Sequence, residues 1–174
     1  MLARDIMTVN PTVVTPDDSI PRAAALMAEM DVGLVPVVSE LDRSRLLGVI
    51  TDRDITLRCV AEGHPASECL VRHHMTAAPI DTVTPESGVE HVLALMERDQ
   101  VRRIPVMEGG KLVGMISTAD VARHCGPRHA QQLEEMMEAI SAPAGAARKP
   151  ARKAVKHAAP DRTARGRKRT KAAR

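Results

Sequence analysis

The chain is 174 residues long, enough for one compact domain or two small ones packed together. It has no Phe, Tyr or Trp, so its core must be aliphatic with ten Met as gap-fillers, and base stacking on aromatic rings is excluded as a way of binding single-stranded nucleic acid. The net charge of +3 hides a split: residues 141–174 hold 12 Lys/Arg and one acid (Asp161), a net +11, while the other 13 basic and 21 acidic residues give −8.

Thr12-Val13-Val14 reads as a short strand. Thr15-Pro16-Asp17-Asp18 reads as a helix start, with small polar residues and early acids suited to the helix dipole. Ile20, Ala24, Met27 and Met30 then give that helix one apolar face. Leu34–Val38 and Leu46–Thr51 are β-rich runs joined by the polar loop 39–45, a hairpin signal. A helix over about 52–60 follows, and 61–74 reads as a linker. Val83 ends the next strand, and Pro85 opens a helix carrying Val89, Val92, Leu93 and Met96. Residues 103–107 and Lys111–Ser117 are strands joined through the tight turn Glu108-Gly109-Gly110. After Pro127, the stretch 129–140 places Leu133, Met136, Met137 and Ile140 on one helical stripe, either docked on its own domain or forming a dimer contact. From Ser141 onward Val155 is the only large apolar residue, which predicts a disordered tail.

The order of elements repeats because the sequence repeats. Met7-Thr8 and Pro11 return as Met75-Thr76 and Pro79. Thr15-Pro16 and Val35-Pro36-Val37 return as Thr84-Pro85 and Ile104-Pro105-Val106. Gly48-Val49-Ile50-Thr51-Asp52-Arg53-Asp54 returns as Gly114-Met115-Ile116-Ser117-Thr118-Ala119-Asp120. The offset between the copies shortens only after Val37, so the second copy has lost part of the first hairpin loop. Two copies are too few for a solenoid and suit a pseudo-twofold pair that buries a shared face.

These landmarks, together with Asp5-Ile6-Met7 and Arg102-Arg103, resemble a CBS-domain pair, the cystathionine-β-synthase or Bateman module, over roughly residues 2–126. Thr51-Asp52-Arg53-Asp54-Ile55 and Val101-Arg102-Arg103-Ile104-Pro105-Val106 look most like the short stand-alone bacterial members of the hypoxic-response type. The expected fold is α+β: two tandem β-α-β-β-α repeats, at 2–60 and 75–126, around the linker 61–74. A C-terminal helix at 127–140 and the basic tail 141–174 complete the chain.

The resemblance implies an adenosine-containing ligand (AMP, ADP, ATP, S-adenosylmethionine or NAD) in clefts between the repeats. It implies a regulatory rather than catalytic role, with no cofactor required. Asp54 and Asp120 are carboxylates able to accept hydrogen bonds from ribose hydroxyls. Thr51 and Ser117 stand where a strand gives way to a helix N-terminus, which suits ribose or phosphate. Backbone groups near Thr12-Val13 and Ile80-Asp81 would read adenine. Arg103 matches a family position that meets phosphate, whereas its first-repeat counterpart is Leu34, leaving Arg53 as the only cation near the first motif. The competing reading of Thr51/Asp54 and Ser117/Asp120 is purely structural: an N-cap and a first-turn acid.

No nucleophile elbow, zinc-protease or Walker sequence is present. Cys59, His64, Cys69, His73 and His74 have residue types that suit zinc, but their spacing is not that of a finger or ribbon, so no metal site is assigned from sequence. Three Cys make no disulfide framework, and no apolar run reaches membrane-spanning length, so a cytoplasmic protein is expected. A homodimer is expected as well. The tail, with Arg148-Lys149 and Arg165-Gly166-Arg167-Lys168-Arg169, resembles the arms of histone-like bacterial proteins and is a candidate for non-specific nucleic-acid binding, not membrane binding. The alternatives are a nucleic-acid-associated structural protein that uses the pair only to dimerise, and a metal-stabilised stress protein.

Overall fold

The computed structural model describes residues 1–124 and 126–142. The predicted tail lies outside them apart from its first two residues, and Ser141 belongs to the preceding helix.

The first repeat contains α1 (Ala3–Ile6), β1 (Thr8–Val9), α2 (Ile20–Glu29), β2 (Leu34–Val38), β3 (Leu46–Thr51) and α3 (Asp52–Asp54). The helix continues through Ile55–Val60 as a π-helical stretch. There the Thr56 hydroxyl donates to the Asp52 carbonyl at 2.9 Å, and Ala61 N–H reaches back five residues to Thr56. The second repeat contains α4 (Val71–His74), β4 (Thr76–Ala77), α5 (Val89–Asp99), β5 (Arg103–Glu108), β6 (Lys111–Ser117) and α6 (Thr118–His124). The last helix, α7, is Ala130–Ser141.

Each repeat gives its first helix and strand to the other. β1 pairs with β6, and β4 pairs with β3, so the sheets run β1-β6-β5 and β2-β3-β4. The registers are equivalent: Thr8 faces Met115, and Thr76 faces Val49. Likewise Ala3 N–H donates to Ser87 O at 2.8 Å, and Val71 N–H to Asp18 O at 2.9 Å. Ala3 and Ile6 are buried in the second core, with Val89, Met96, Ile104 and Ile116. Cys69 and Val71 are buried in the first, with Val14, Ile20, Val35 and Ile50. The stretch 71–74, assigned to a linker by sequence, is therefore the counterpart of α1.

The motif glycines make this exchange possible. A methyl group at Gly48 would run into the Thr76 carbonyl oxygen and the Met75 side chain of the arriving strand. At Gly114 it would meet the Met7 sulfur at 2.6 Å and the Thr8 carbonyl oxygen at 3.2 Å. The prolines have an equally local reason. Pro36 and Pro105 lie on β2 and β5, at the sheet edges, where a missing N–H is tolerated. Their carbonyls are used instead: Pro36 O accepts from Val14 N–H at 3.0 Å, and Pro105 O from Val83 N–H at 3.1 Å.

Some elements differ from expectation. The segments at Thr12-Val13-Val14 and Val83 form single parallel bridges, Val14 to Val37 and Val83 to Val106, not strands. Both helix starts come later than the Thr-Pro signals. α2 is capped by Ser19, whose hydroxyl accepts from Arg22 N–H, and α5 follows Gly88. The Thr and acid belong to a turn before the helix, where Thr15 N–H donates to Asp18 Oδ2 at 2.7 Å. Of the predicted α7 stripe, Met136 is buried and Leu133 and Ile140 pack against the second core, but Met137 is exposed.

Replacing Gly48 by Ala is expected to destabilise the fold by roughly 1–3 kcal/mol, the usual range for overpacking. Gly114→Ala should lose less, because the flexible Met7 side chain can move aside. Urea unfolding of both variants checks this order, and an equal or larger loss at Gly114 would contradict the steric account.

Candidate functional site

The two Thr/Ser-x-x-Asp motifs are built alike. Thr51 ends β3 and caps α3: its hydroxyl accepts from Asp54 N–H at 3.0 Å, and Asp54 Oδ2 accepts from Thr51 N–H at 3.1 Å. Ser117 ends β6 and does the same for α6. Its hydroxyl accepts from Asp120 N–H at 3.2 Å, and Asp120 Oδ2 accepts from Ser117 N–H at 2.8 Å. This is the capping-box geometry of the structural reading. A carboxylate has about four acceptor sites, so the box leaves capacity for a ligand.

The carboxylates differ in their second partner. Asp54 Oδ1 pairs with Arg58 at 3.1 Å. Arg58 is half-buried and also donates to the His74 carbonyl at 2.8 Å and to Thr76 Oγ1 at 3.2 Å. Asp54 is thereby tied to the start of the second repeat. Asp120 Oδ1 pairs with Arg123 at 2.6 Å, but the Arg123 side chain is 67% exposed, so it can move away without breaking into the core. Burial alone would raise the Asp120 carboxyl. The hydrogen bonds from the Ser117 hydroxyl and amide and from Arg123 outweigh it and hold the carboxyl below its ordinary value.

Arg103 lies opposite Ser117 in the β5–β6 register, just as Leu34 lies opposite Thr51 in β2–β3. The fold thus brings Arg103, Ser117 and Asp120 to one end of one hairpin. Arg53 is exposed at the start of α3. Thr12 and Val13 are half-buried beside the Val14 bridge, and Ile80 is half-buried. The Asp81 carboxylate is exposed and paired with Arg98 at 3.2 Å. An open depression of about 340 Å³ is lined by Asn10, Pro11, Val13, Arg43, Ser44 and Leu112, and of the anticipated contacts it contains only Val13. It sits where the two hairpin loops meet, with Leu112 N–H donating to Ser44 O at 2.7 Å.

The sequence reading missed Arg58 and Arg123. Their signal was helical spacing, four and three residues after an acid. It also left the linker thiols and imidazoles unassigned, yet Cys59, Cys69 and His74 are buried with their ligand atoms within 4.8 Å of one another. Burial and a hydrogen bond with Cys69 push the Cys59 thiol up to about 11. Burial, then the nearby His64 and His73, lower the His74 imidazole.

A pair of exchanged α+β repeats, each carrying a hydroxyl–carboxylate capping box after its hairpin, defines a two-repeat α+β architecture. The chain belongs to the CBS-domain family, whose domain matches residues 3–60 and 71–126. It is 36% identical to hypoxic response protein 1 of Mycobacterium tuberculosis over 81% of this chain and 94% of that protein. The structure of Hypoxic Response Protein I with two coordinated zinc ions superposes with a TM-score of 0.65 at 35% identity, covering 72% of this chain and all of that one. CBSX2 in complex with AMP superposes with a TM-score of 0.59 at 26% identity, over 70% of this chain and 94% of that one. A CBS pair solved with 5′-methylthioadenosine and S-adenosyl-L-methionine gives 0.63 at 25% identity, over 71% and 94% of the two chains. Among the described residues no helix is long and apolar enough to cross a membrane.

Because Asp120 titrates below its ordinary value in the folded state, its stabilising contribution is present above that ordinary value and is lost as pH falls through the folded one. Thermal unfolding from neutral to acid pH should therefore show a smaller acid loss for Asp120→Asn than for the wild type. Equal losses would mean that other carboxylates carry the acid sensitivity.

Proposed function

We propose that the protein is a non-enzymatic regulatory module that takes up an adenine nucleotide or related adenosyl ligand, and that the second motif is its stronger site. The observation that carries this is the grouping of Arg103 opposite Ser117, beside an Asp120 whose cationic partner is exposed. Arg123 can give up its place at Asp120, leaving a carboxylate for ribose hydroxyls and Arg103 for phosphate. At the first motif Arg58 is held by three acceptors, and Leu34 stands where Arg103 stands in the second. The adenosyl ligands held by CBSX2 and by the methylthioadenosine-bound pair support the ligand class. Cytoplasmic location and assembly as a homodimer form part of the same reading.

Calorimetry with AMP, ADP and ATP tests it. Asp120→Ala is expected to weaken binding by about 1–3 kcal/mol, the range for losing hydrogen bonds to a charged group. Arg103→Ala should lose more affinity for ATP than Arg53→Ala. No heat with any of the three in the wild type would sink the proposal for those ligands, and a larger loss at Arg53 would move the stronger site to the first motif.

The charge split supports a second activity, carried by the tail. Residues 1–140 repel a polyanion with a net −8, whereas the tail, at +11, can replace DNA counterions without reading bases. Binding should fall with salt at roughly −0.9 in log–log slope per phosphate neutralised. A chain ending at Ile140 should keep nucleotide binding and lose DNA binding in a gel-shift assay. A shift by the shortened chain would place the DNA surface on the CBS pair, and no shift by the full chain at low salt would remove nucleic acid from the proposal.

A further inference from the structure

Cys59, Cys69 and His74 come from three different elements: the π-helical stretch after α3, the residue following the short 3₁₀ turn Ala66–Glu68, and the end of α4. All three are buried, with Cys59 at 0%, Cys69 at 8% and His74 at 3% exposure. Their sulfur and nitrogen atoms lie within 4.8 Å of one another. Independently of that proximity, His74 Nε2 is a fully buried polar atom with no hydrogen-bond partner. Such an atom has lost its hydration without gaining a partner and calls for a reason. Packing does not supply one. His74 directly precedes Met75-Thr76, and the residue that directly precedes Met7-Thr8 in the other repeat is Ile6, buried without any polar side-chain atom.

We propose that Cys59 Sγ, Cys69 Sγ and His74 Nε2 form a binding site for a zinc-class divalent ion, which fastens the last helix of the first repeat to the opening helix of the second. Two thiolates and one imidazole are a donor set for a borderline-soft ion that prefers tetrahedral coordination. Metal–sulfur bonds of about 2.3 Å and metal–nitrogen bonds of about 2.0 Å bring tetrahedral ligand atoms to about 3.5–3.8 Å from each other. Closing the cluster therefore takes side-chain movements of about an ångström. Binding breaks two S–H bonds, and both protons pass to solvent. The two thiolates balance the dication, the imidazole gives a lone pair, and nothing is oxidised or reduced. The 3.8 Å bond from the Cys59 thiol to the His64 carbonyl is long, so little is lost there when the thiol gives up its proton. The fourth position falls to water or to His64, an exposed side chain whose ring lies 5.6 Å from that of His74.

The consequence for the protein is a fixed joint. Arg58 adjoins Cys59 in sequence and holds both Asp54 and the His74 carbonyl. An ion bound by the next side chain and by His74 itself would lock that bridge.

The test uses the full chain carrying Cys125→Ser, so that Cys59 and Cys69 supply the only thiols. Freshly reduced, chelator-treated protein is titrated with Co²⁺ and then with Zn²⁺. The expected result is one Co²⁺ per chain, with intense tetrahedral visible bands and thiolate-to-cobalt charge transfer, all displaced by Zn²⁺, and a higher unfolding temperature with Zn²⁺. Cys59→Ser and Cys69→Ser should each weaken the charge transfer and abolish most of the thermal gain. His74→Ile copies the residue found in the other repeat and should fold without metal at least as well as the parent. It should bind Co²⁺ more than about tenfold more weakly. Absence of thiolate charge transfer in the parent overturns the site. So does unchanged affinity in a folded His74→Ile variant, or a protein that, given Zn²⁺ and exposed to dissolved oxygen as oxidant, closes a Cys59–Cys69 disulfide in preference to holding the ion.

Discussion

The rest of the structure depends on the reciprocal exchange of one short helix and one two-residue strand between the repeats. Each sheet has two strands from one repeat and one from the other, and each apolar core is closed by the other repeat's opening helix. Neither repeat can bury its hairpin alone, which makes the pair the folding unit. The exchange needs the backbones of β1 and β6, and of β4 and β3, to cross very closely. Glycine suits both crossings: at Gly48 a side chain would run into the Thr76 carbonyl, and at Gly114 it would have to displace Met7.

The same crossing sets the positions of the two capping-box motifs. The motif that begins with the glycine ends, a few residues on, in the capping hydroxyl and carboxylate. A strand held in register by its exchanged neighbour therefore delivers Thr51 or Ser117 to a fixed point at the end of its hairpin, opposite Leu34 or Arg103. The repeats then diverge through single residues. Arg58 reaches across to the second repeat and anchors Asp54, while Arg123 stays on the surface, so that Asp120, though buried, has the less firmly held cationic partner. Near symmetry of backbone thus coexists with clear asymmetry of charge. The first repeat has a bridged joint that shares His74 with a thiol–imidazole cluster, and the second has an arginine opposite its serine.

Much of this was legible in the chain. The two hairpins follow from β-rich runs around polar or Gly-Gly turns, because strand pairing across a short loop is a local matter. The Thr/Ser-x-x-Asp motifs and the Arg103/Leu34 difference follow from aligning the repeats. The helix starts lie a turn later than the sequence suggests, since Thr15 with Asp18 looks like a capping signal whether it opens a helix or a turn before one. The stretch 71–74 looks like linker in the sequence because so short a helix carries too little periodicity to announce itself.

By itself the sequence determined the repeat, the aliphatic core, the hairpins and the chemistry available at each motif, because these rest on composition and on contacts between near neighbours. Only the tertiary structure decided which hairpin each opening strand joins, since β1 offers the same edge to its own repeat or to the other and nothing local distinguishes them. It alone placed Arg58 against the His74 carbonyl, and Cys59 and Cys69 beside the imidazole, residues whose spacing matches no finger or ribbon. Their meeting is fixed by the packing of one repeat's last helix on the other's first, and long-range packing leaves no periodic mark in the chain.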